Sequence, residues 1–370
     1  MIYVDNAATT KICQAARDEI TDLLDFCGNA SSSHHLGIIA SQKIRAARKT
    51  VKELIGAGEN DNLIFTSGGS EANNQALHIA SLTGKKRIII SSIEHSSVFN
   101  IAFNLEKHGF EIKTVGVDKN GIINLDELKT LINNDTAIVS IMAVNNEIGT
   151  VQPLKEIGAL CKEKGVIFHT DAVAAIGQIN IDVADMNVGM FSLSAHKFGG
   201  MQGVGALYIR EDISARPLIL GGAQENKLRA GTENLIGIAS LSAALKDACT
   251  YLDERREYVS KLSKSLSDRL LKLQNVILNG GNRSDGIINV TFKGISAEAM
   301  LLHLDGKGIC ASTGAACNSN DKAPSRVLKA LGISDEDALS SIRFSLSHDN
   351  TIEEIDYIAR SIEASITALK

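Results

Sequence analysis

The sequence predicts an α/β fold, with a mostly parallel central sheet covered by helices on both faces and a smaller α+β domain attached. Three observations lead there. From about residue 62, short apolar runs of strand length alternate with longer amphipathic stretches, the pattern of a parallel sheet with crossover helices. That alternation gives way to one long helical pattern over 233–275. After Asn279-Gly-Gly-Asn-Arg283 it changes again to a mixture of strands and helices. Finally, 370 residues exceed a single typical core. The expected division is a large domain over 12–255 and a small one made of 1–11 with 256–370.

The first residues end in a polar turn, Asp5-Asn-Ala-Ala-Thr-Thr10, before an amphipathic helix near 13–26. Gly28-Asn-Ala-Ser-Ser-Ser-His-His35 reads as a loop. Its adjacent histidines would not face the same way, which argues against a metal pair. A charged helix follows near 38–55. Strands are then expected at 62–66, 87–91, 111–117, 137–144, 166–170, 190–193 and 205–209, with helices at 71–82, 97–108, 125–132 and 154–164. Further on, 287–292 and 341–346 read as strands, and 297–303 and 352–369 as helices.

Two tempting motifs fail. Asp118-Lys-Asn-Gly121 lacks the remaining acidic ligands of an EF-hand and reads as a tight turn. Gly199-Gly-Met-Gln-Gly-Val-Gly205 matches neither a Walker loop nor GxGxxG, so no nucleotide site is expected.

A net charge of −5 with both signs interspersed argues against a nucleic-acid partner. No apolar stretch approaches the roughly 20 residues of a membrane helix. The start, Met1-Ile-Tyr-Val-Asp5, shows no signal-peptide pattern, so a cytoplasmic protein is expected. The six cysteines form no CxxC and no zinc spacing. They read as cytosolic thiols, mostly buried packing residues with at least one reactive.

In sheets of this kind ligands gather beyond the carboxyl ends of the strands, so the residues just after each strand carry the chemistry. The stretch Phe191-Ser-Leu-Ser-Ala-His-Lys197 runs an apolar strand into a small-residue turn presenting Ser194, His196 and Lys197. A lysine at such a place is pushed toward the neutral amine. A neutral amine can form a Schiff base with an aldehyde, the linkage that holds pyridoxal phosphate. Thr66-Ser-Gly-Gly-Ser-Glu71 joins a strand end to a helix start, where Ser70 is the candidate phosphate contact. A helix cap through Ser67 and Glu71 explains the same residues. His95 follows the strand at 87–91 and could stack on a flat ring or serve structurally. Asp171 ends another strand, where it suits a protonated pyridine nitrogen or a turn cap. Asn145-Asn-Glu147 follows a third strand and offers an amide to cofactor or substrate.

Taken in order, Asp5-Asn-Ala-Ala-Thr-Thr10, Thr66-Ser-Gly-Gly-Ser-Glu71, Glu94-His95, Asn145-Asn-Glu-Ile-Gly149, His169-Thr-Asp-Ala172, Ser194-Ala-His-Lys197, Arg229-Ala-Gly-Thr232 and Ile342-Arg-Phe-Ser-Leu346 resemble cysteine desulfurases of the NifS/IscS type, class V of the fold-type I pyridoxal-phosphate enzymes. The resemblance spans nearly the whole chain. It implies that Lys197 carries the cofactor, that Ser70, Ser194 and His196 hold its phosphate, and that Asp171 meets the pyridine nitrogen. His95 would stack on the ring and assist proton transfer, and Asn146 would contact cofactor or substrate. Arg343 would clamp the α-carboxylate of L-cysteine. Thr232 would reach the partner's cofactor in a homodimer. Cys317, in the polar run Ala311-Ser-Thr-Gly-Ala-Ala-Cys317-Asn-Ser-Asn-Asp321, would accept sulfur as a persulfide, while Cys310 reads as core.

The resemblance implies no intrinsic metal, with Cys317 as the group that would meet a transferred iron–sulfur cluster. The sulfur would pass to an acceptor or scaffold protein for iron–sulfur clusters or thiolated tRNA. Three departures stand out. Ala174 replaces the family's glutamine, with Gln178 as a substitute amide. Gly200-Met-Gln-Gly203 replaces Gly-Pro-Lys-Gly. The chain also ends soon after Arg343. Two alternatives stay open: another class V enzyme, such as a selenocysteine lyase or aminotransferase, and a non-catalytic pyridoxal-phosphate protein.

Overall fold

The computed structural model describes residues 1–314 and 323–369. Its main sheet is built from the predicted apolar runs: β2 (Asn62–Thr66), β3 (Arg87–Ser91), β4 (Glu111–Val115), β5 (Thr136–Ser140), β6 (Ile167–Asp171), β7 (Met190–Ser194) and β8 (Gly205–Ile209). They pair in the order β2-β8-β7-β6-β5-β3-β4, with β8 antiparallel to both neighbours and the remaining pairs parallel. Alternation along each strand feeds two cores. In β3, Ile88 and Ile90 pack on the side of α3 (Gly69–Ser81) and α4 (Ser96–Glu106). Ile89 packs on the other side with residues of α2 (His35–Leu54), α6 (Leu154–Glu163) and α7 (Leu235–Thr250). Strands covered on both faces lose the polar alternation of an open sheet, which explains their continuous apolar sequence.

One register detail places the site. Gly205 sits opposite Ser194 on one side and Thr66 on the other, so the carboxyl ends of β7 and β2 flank it. A side chain at Gly205 would stand 2.5 Å from the Leu193 carbonyl and 2.8 Å from the Gly68 Cα. Only glycine lets the backbone of the Ser67–Gly68 turn approach the end of β7 this closely.

The smaller unit contains the antiparallel sheet β12-β10-β9, from β9 (Val276–Asn279), β10 (Ile287–Phe292) and β12 (Ser341–Ser345). The N-terminal β1 (Ile2–Tyr3) pairs in parallel with β11 (Ile309–Cys310). Val4 shares a core with Ile288, Phe344, the apolar face of α8 (Leu252–Leu270) and that of α12 (Ile352–Leu369). Among the described residues, no single helix is long and apolar enough to cross a membrane.

The structure corrects several expectations. The run 137–144 is buried throughout; the regular strand ends at Ser140, yet the Ile141 and Ala143 amides still donate to the His169 and Asp171 carbonyls of β6 before the backbone turns to present the asparagines. The long helix over 233–275 is two helices bent by 70° at Tyr251, followed by β9. α7 packs Leu241 and Leu245 into the large core, whereas α8 sends Leu262 and Leu266 into the small one. His35 opens α2 instead of ending a loop, and the His34 ring accepts the Gly37 amide at 3.3 Å as its cap. Of the five cysteines described, Cys161 alone is buried; Cys310 is only partly so. The Asp118 turn forms as expected, with Asp118 Oδ1 accepting the amides of Asn120 and Ile122.

Candidate active site

Ser67 and Gly68, between β2 and α3, and Gly69 and Ser70, which open α3, share a pocket of about 510 Å³ with Ser194, His196, Ala8 and Thr9. A side chain at Gly69 would meet Val173 Cγ2 at 2.5 Å, so glycine is what lets this turn close against the residues after Asp171. Glu71 in the first turn of α3 would repel an anion, but its charge is taken up elsewhere. Arg229 Nε donates to Oε1 at 2.9 Å and the Ser67 amide donates to Oε2 at 2.8 Å. Burial opposes ionisation of Glu71, yet these hydrogen bonds outweigh it and hold the carboxyl below its usual range. The helix N-terminus therefore keeps its donors for a guest anion.

Lys197 stands in the short turn after β7. Its Nζ donates to the carbonyls of Ala7 at 2.5 Å and Ala8 at 2.8 Å. His196, beside it, lies against Thr9 Oγ1 at 3.2 Å. Burial and the Lys197 charge pull its pKa down to about 4. It is neutral at physiological pH and able to donate one hydrogen bond. Asp171 is 3% exposed at the tip of β6. Oδ1 accepts the Val173 amide at 3.0 Å and Oδ2 accepts Asn73 Nδ2 at 2.7 Å. His169, two residues earlier, is held between Ser140 and Ser192 hydroxyls, and burial pushes its pKa down to about 3. It is a neutral strand-locking residue.

His95 is the cap of α4. Its Nδ1 accepts the Ser97 amide at 3.1 Å and contacts Ser97 Oγ at 2.8 Å. That occupies Nδ1, so proton exchange by this ring runs through Nε2, a narrower role than the sequence predicts. The buried Glu94 beside it ties two strand exits together. Its Oε1 accepts from Ser91 Oγ at 2.6 Å and from the Met142 amide at 2.8 Å. Burial raises its pKa to about 8, the hydrogen bonds from Ser91 and Met142 oppose this, and the Asp171 charge adds to it.

Glu94 is thus held as a neutral acid. Its contribution to stability is fully present below the ordinary carboxylate range and is lost as pH rises toward about 8. Glu94→Gln, which keeps the acceptor oxygen, is expected to flatten the fall in thermal stability between about pH 5 and 8 that the parent shows. Melting temperatures of both proteins across that range check this; parallel curves would refute it.

Arg343, on β12, is 2% exposed. Its Nη2 donates to Asp5 Oδ1 at 2.6 Å and its Nη1 to the Asn146 carbonyl at 2.8 Å. Asn145, the more buried of the two asparagines, builds the loop: its Oδ1 accepts the amides of Glu147 and Ile148. The N-terminal strap from Asp5 to Thr10 therefore touches Arg343, Lys197 and His196 in turn. Ala174, Gln178 and Lys197 line one further cavity of about 510 Å³ behind the strap.

Thr232 lies apart from Lys197, in a pocket with Ser67, Glu225 and Arg229. Cys317 falls outside the described residues. On either side of the segment that holds it, Ser325 Oγ donates to the Glu147 carboxylate at 2.5 Å, and a side chain at Gly314 would meet Glu147 Cγ at 3.4 Å. Reading the sequence missed Asn73 and Ser97 altogether, and it quoted Asp5 and Glu94 only as members of motifs, with no contact assigned to either. Their partners are brought to them by folding, which local sequence does not record.

The donor set fits pyridoxal phosphate. A glycine-lined cradle of amides and hydroxyls suits its phosphate, the Asp171 carboxylate suits its ring nitrogen, and the Lys197 amine suits its aldehyde.

The chain matches the class-V aminotransferase family over residues 2–358. It is similar to the cysteine desulfurase IscS of Methanosarcina thermophila, with 43% identity over 379 residues, covering 100% of this chain and 93% of that protein. A solved NifS-like protein superposes with a TM-score of 0.93 at 35% identity, covering 100% of both chains. SspA in complex with cysteine superposes with a TM-score of 0.82 at 32% identity, covering 94% of this chain and 99% of that one.

Proposed function

Because the chain belongs to the class-V aminotransferase family, we propose that it is a pyridoxal-phosphate-dependent L-cysteine desulfurase that yields alanine and leaves the sulfur on Cys317. The observation that carries this reading is the convergence of Lys197, Asp171, the Ser70–Ser194–His196 cradle and Arg343 around the strand ends of a chain similar end to end to cysteine desulfurases. The bound cofactor supplies an electron sink for bond breaking at the substrate Cα.

The chain's own residues do the rest. Ser70, Ser194 and the neutral His196 hold the phosphate through hydrogen bonds, and Asp171 supplies the negative charge facing the ring nitrogen. Lys197 Nζ would hold the cofactor's aldehyde and would also be the amine that moves the Cα proton. Arg343, oriented by Asp5 and the Asn146 carbonyl, receives the substrate carboxylate, with Asn146 alongside. The Cys317 thiolate attacks the substrate sulfur. A sulfur–sulfur bond forms, the carbon–sulfur bond breaks with its electron pair left on the carbon skeleton, and protonation there gives alanine.

A homodimer, with Thr232 turned to the partner's site, is supported by the exposed apolar run Leu218, Ile219 and Leu220, which the Ala230 amide ties to the Arg229–Thr232 turn. The persulfide would then pass to an acceptor protein serving iron–sulfur cluster assembly or tRNA thiolation.

The test is incubation of the purified protein with L-cysteine, measuring alanine and persulfide on Cys317 by mass spectrometry. Cys317→Ser is expected to lower alanine formation at least about a hundredfold, as removal of a reacting thiol should. Alanine at the parental rate from that variant would sink the reading in favour of a class V enzyme that uses no protein thiol.

A further inference from the structure

Asn73 lies in the first turns of α3, 1% exposed, and has no place in the roles given so far. Its Nδ2 donates to Asp171 Oδ2 at 2.7 Å and to Ser97 Oγ at 2.9 Å. Its Oδ1 is buried without a hydrogen-bond partner. An unsatisfied buried acceptor costs about 1–3 kcal/mol, so an amide that tolerates one is held in place by what its other end does.

The direction of every bond is determined. The Asp171 carboxylate accepts only, so Asn73 must turn its amide hydrogens that way. One hydrogen goes to Asp171 and the other to Ser97 Oγ. His95 Nδ1 accepts the Ser97 backbone amide and so carries no proton, which makes the Ser97 hydroxyl the donor in its 2.8 Å contact with that nitrogen. Nδ1 then accepts two hydrogens, and the ring proton sits on Nε2.

We propose that Asn73 relays the charge state of Asp171 to the His95 ring through the Ser97 hydroxyl, as a positioning residue that fixes the proton on Nε2. Its catalytic relevance rests on the role proposed above for Asp171 and on the ring-stacking and proton-transfer role that the resemblance implies for His95; the hydrogen-bond chain does not. The relay has a forced reversal. In Asp171→Asn the side-chain oxygen stays on the Val173 amide, which puts the new NH₂ group toward Asn73. Asn73 must then present Oδ1 to both neighbours. The Ser97 hydroxyl turns to donate to that oxygen and leaves His95 Nδ1 with one donor fewer.

The experiment is ¹⁵N NMR of the histidine rings in the full-length protein, as purified and after cofactor removal, with His95→Asn used to assign the signal. The parent should show a pyridine-like Nδ1 and a pyrrole-like Nε2. Asp171→Asn should move the Nδ1 signal further from the protonated position, because one of its two hydrogen-bond donors is lost while the Ser97 amide stays. In an Asn73→Leu background the same change should leave the His95 signals where that background put them. Ser97→Ala is a second background with less packing change, and it should abolish the shift equally.

An unshifted His95 in Asp171→Asn alone overturns the relay. So does a shift of equal size in both backgrounds, which would mean a direct field from position 171. Alanine production by the parent protein is scored separately, so failure of the desulfurase reading and failure of the relay are distinguishable.

Discussion

Lys197→Ala is expected to lower alanine formation from L-cysteine by about 10⁴-fold or more, because one substitution removes both the covalent anchor and the amine that moves the proton. The lysine enters the site from a short turn, and its Nζ rests on two backbone carbonyls of the N-terminal strap. Removing it deletes a side chain that no neighbour among the described residues can replace chemically. Borohydride treatment followed by peptide mass spectrometry should place one reduced pyridoxyl group on Lys197 in the parent and none in the variant. Lys197→Arg, which retains the charge facing those carbonyls but cannot form the linkage, should be equally unlabelled. A labelled peptide elsewhere in the variant would refute the assignment of Lys197.

Arg343→Lys should raise KM for L-cysteine roughly 10- to 100-fold, with a smaller fall in kcat. A hydrogen bond to a charged group contributes about 1.5–3 kcal/mol, and a compact ammonium cannot replace the guanidinium fork. Arg343 already serves Asp5 and the Asn146 carbonyl with its two terminal nitrogens. A lysine has three donors but only one nitrogen, which cannot span both of these acceptors and still reach the substrate. Arg343→Ala should in addition destabilise the fold by about 1.5–3 kcal/mol, since it removes a charge-assisted hydrogen bond from Asp5, which is itself partly exposed. Steady-state kinetics and thermal unfolding separate the two effects. An unchanged KM in the lysine variant would confine Arg343 to a structural role.

The strands of the main sheet were legible because their apolar runs are bounded by turn residues and are covered on both faces. The 87–91 and 205–209 runs are strands over those same residues. The legible part of the candidate site consists of residues that follow a strand or open a helix: Ser70, His95, Asp171, Ser194, His196 and Lys197. Of these, Ser70, Ser194 and His196 share the cradle, and Asp171 stands at the tip of its strand as expected. The main misreading arose where one apolar pattern serves two cores: the 233–275 helix breaks where its apolar face passes from the large core to the small one.

By itself, the sequence determined the layered α/β architecture, the strand-end placement of the polar residues and the position of the lysine that we propose anchors the chemistry. These depend on local periodicity and on turn chemistry, which neighbouring residues encode. Only the tertiary structure decided that Asp5 holds Arg343 across 338 positions, that Glu94 locks two strand exits, and that Asn73 joins Asp171 to the histidine of another helix. Those pairings follow from how the elements pack, because a buried charge or amide takes whichever partner the fold brings within reach.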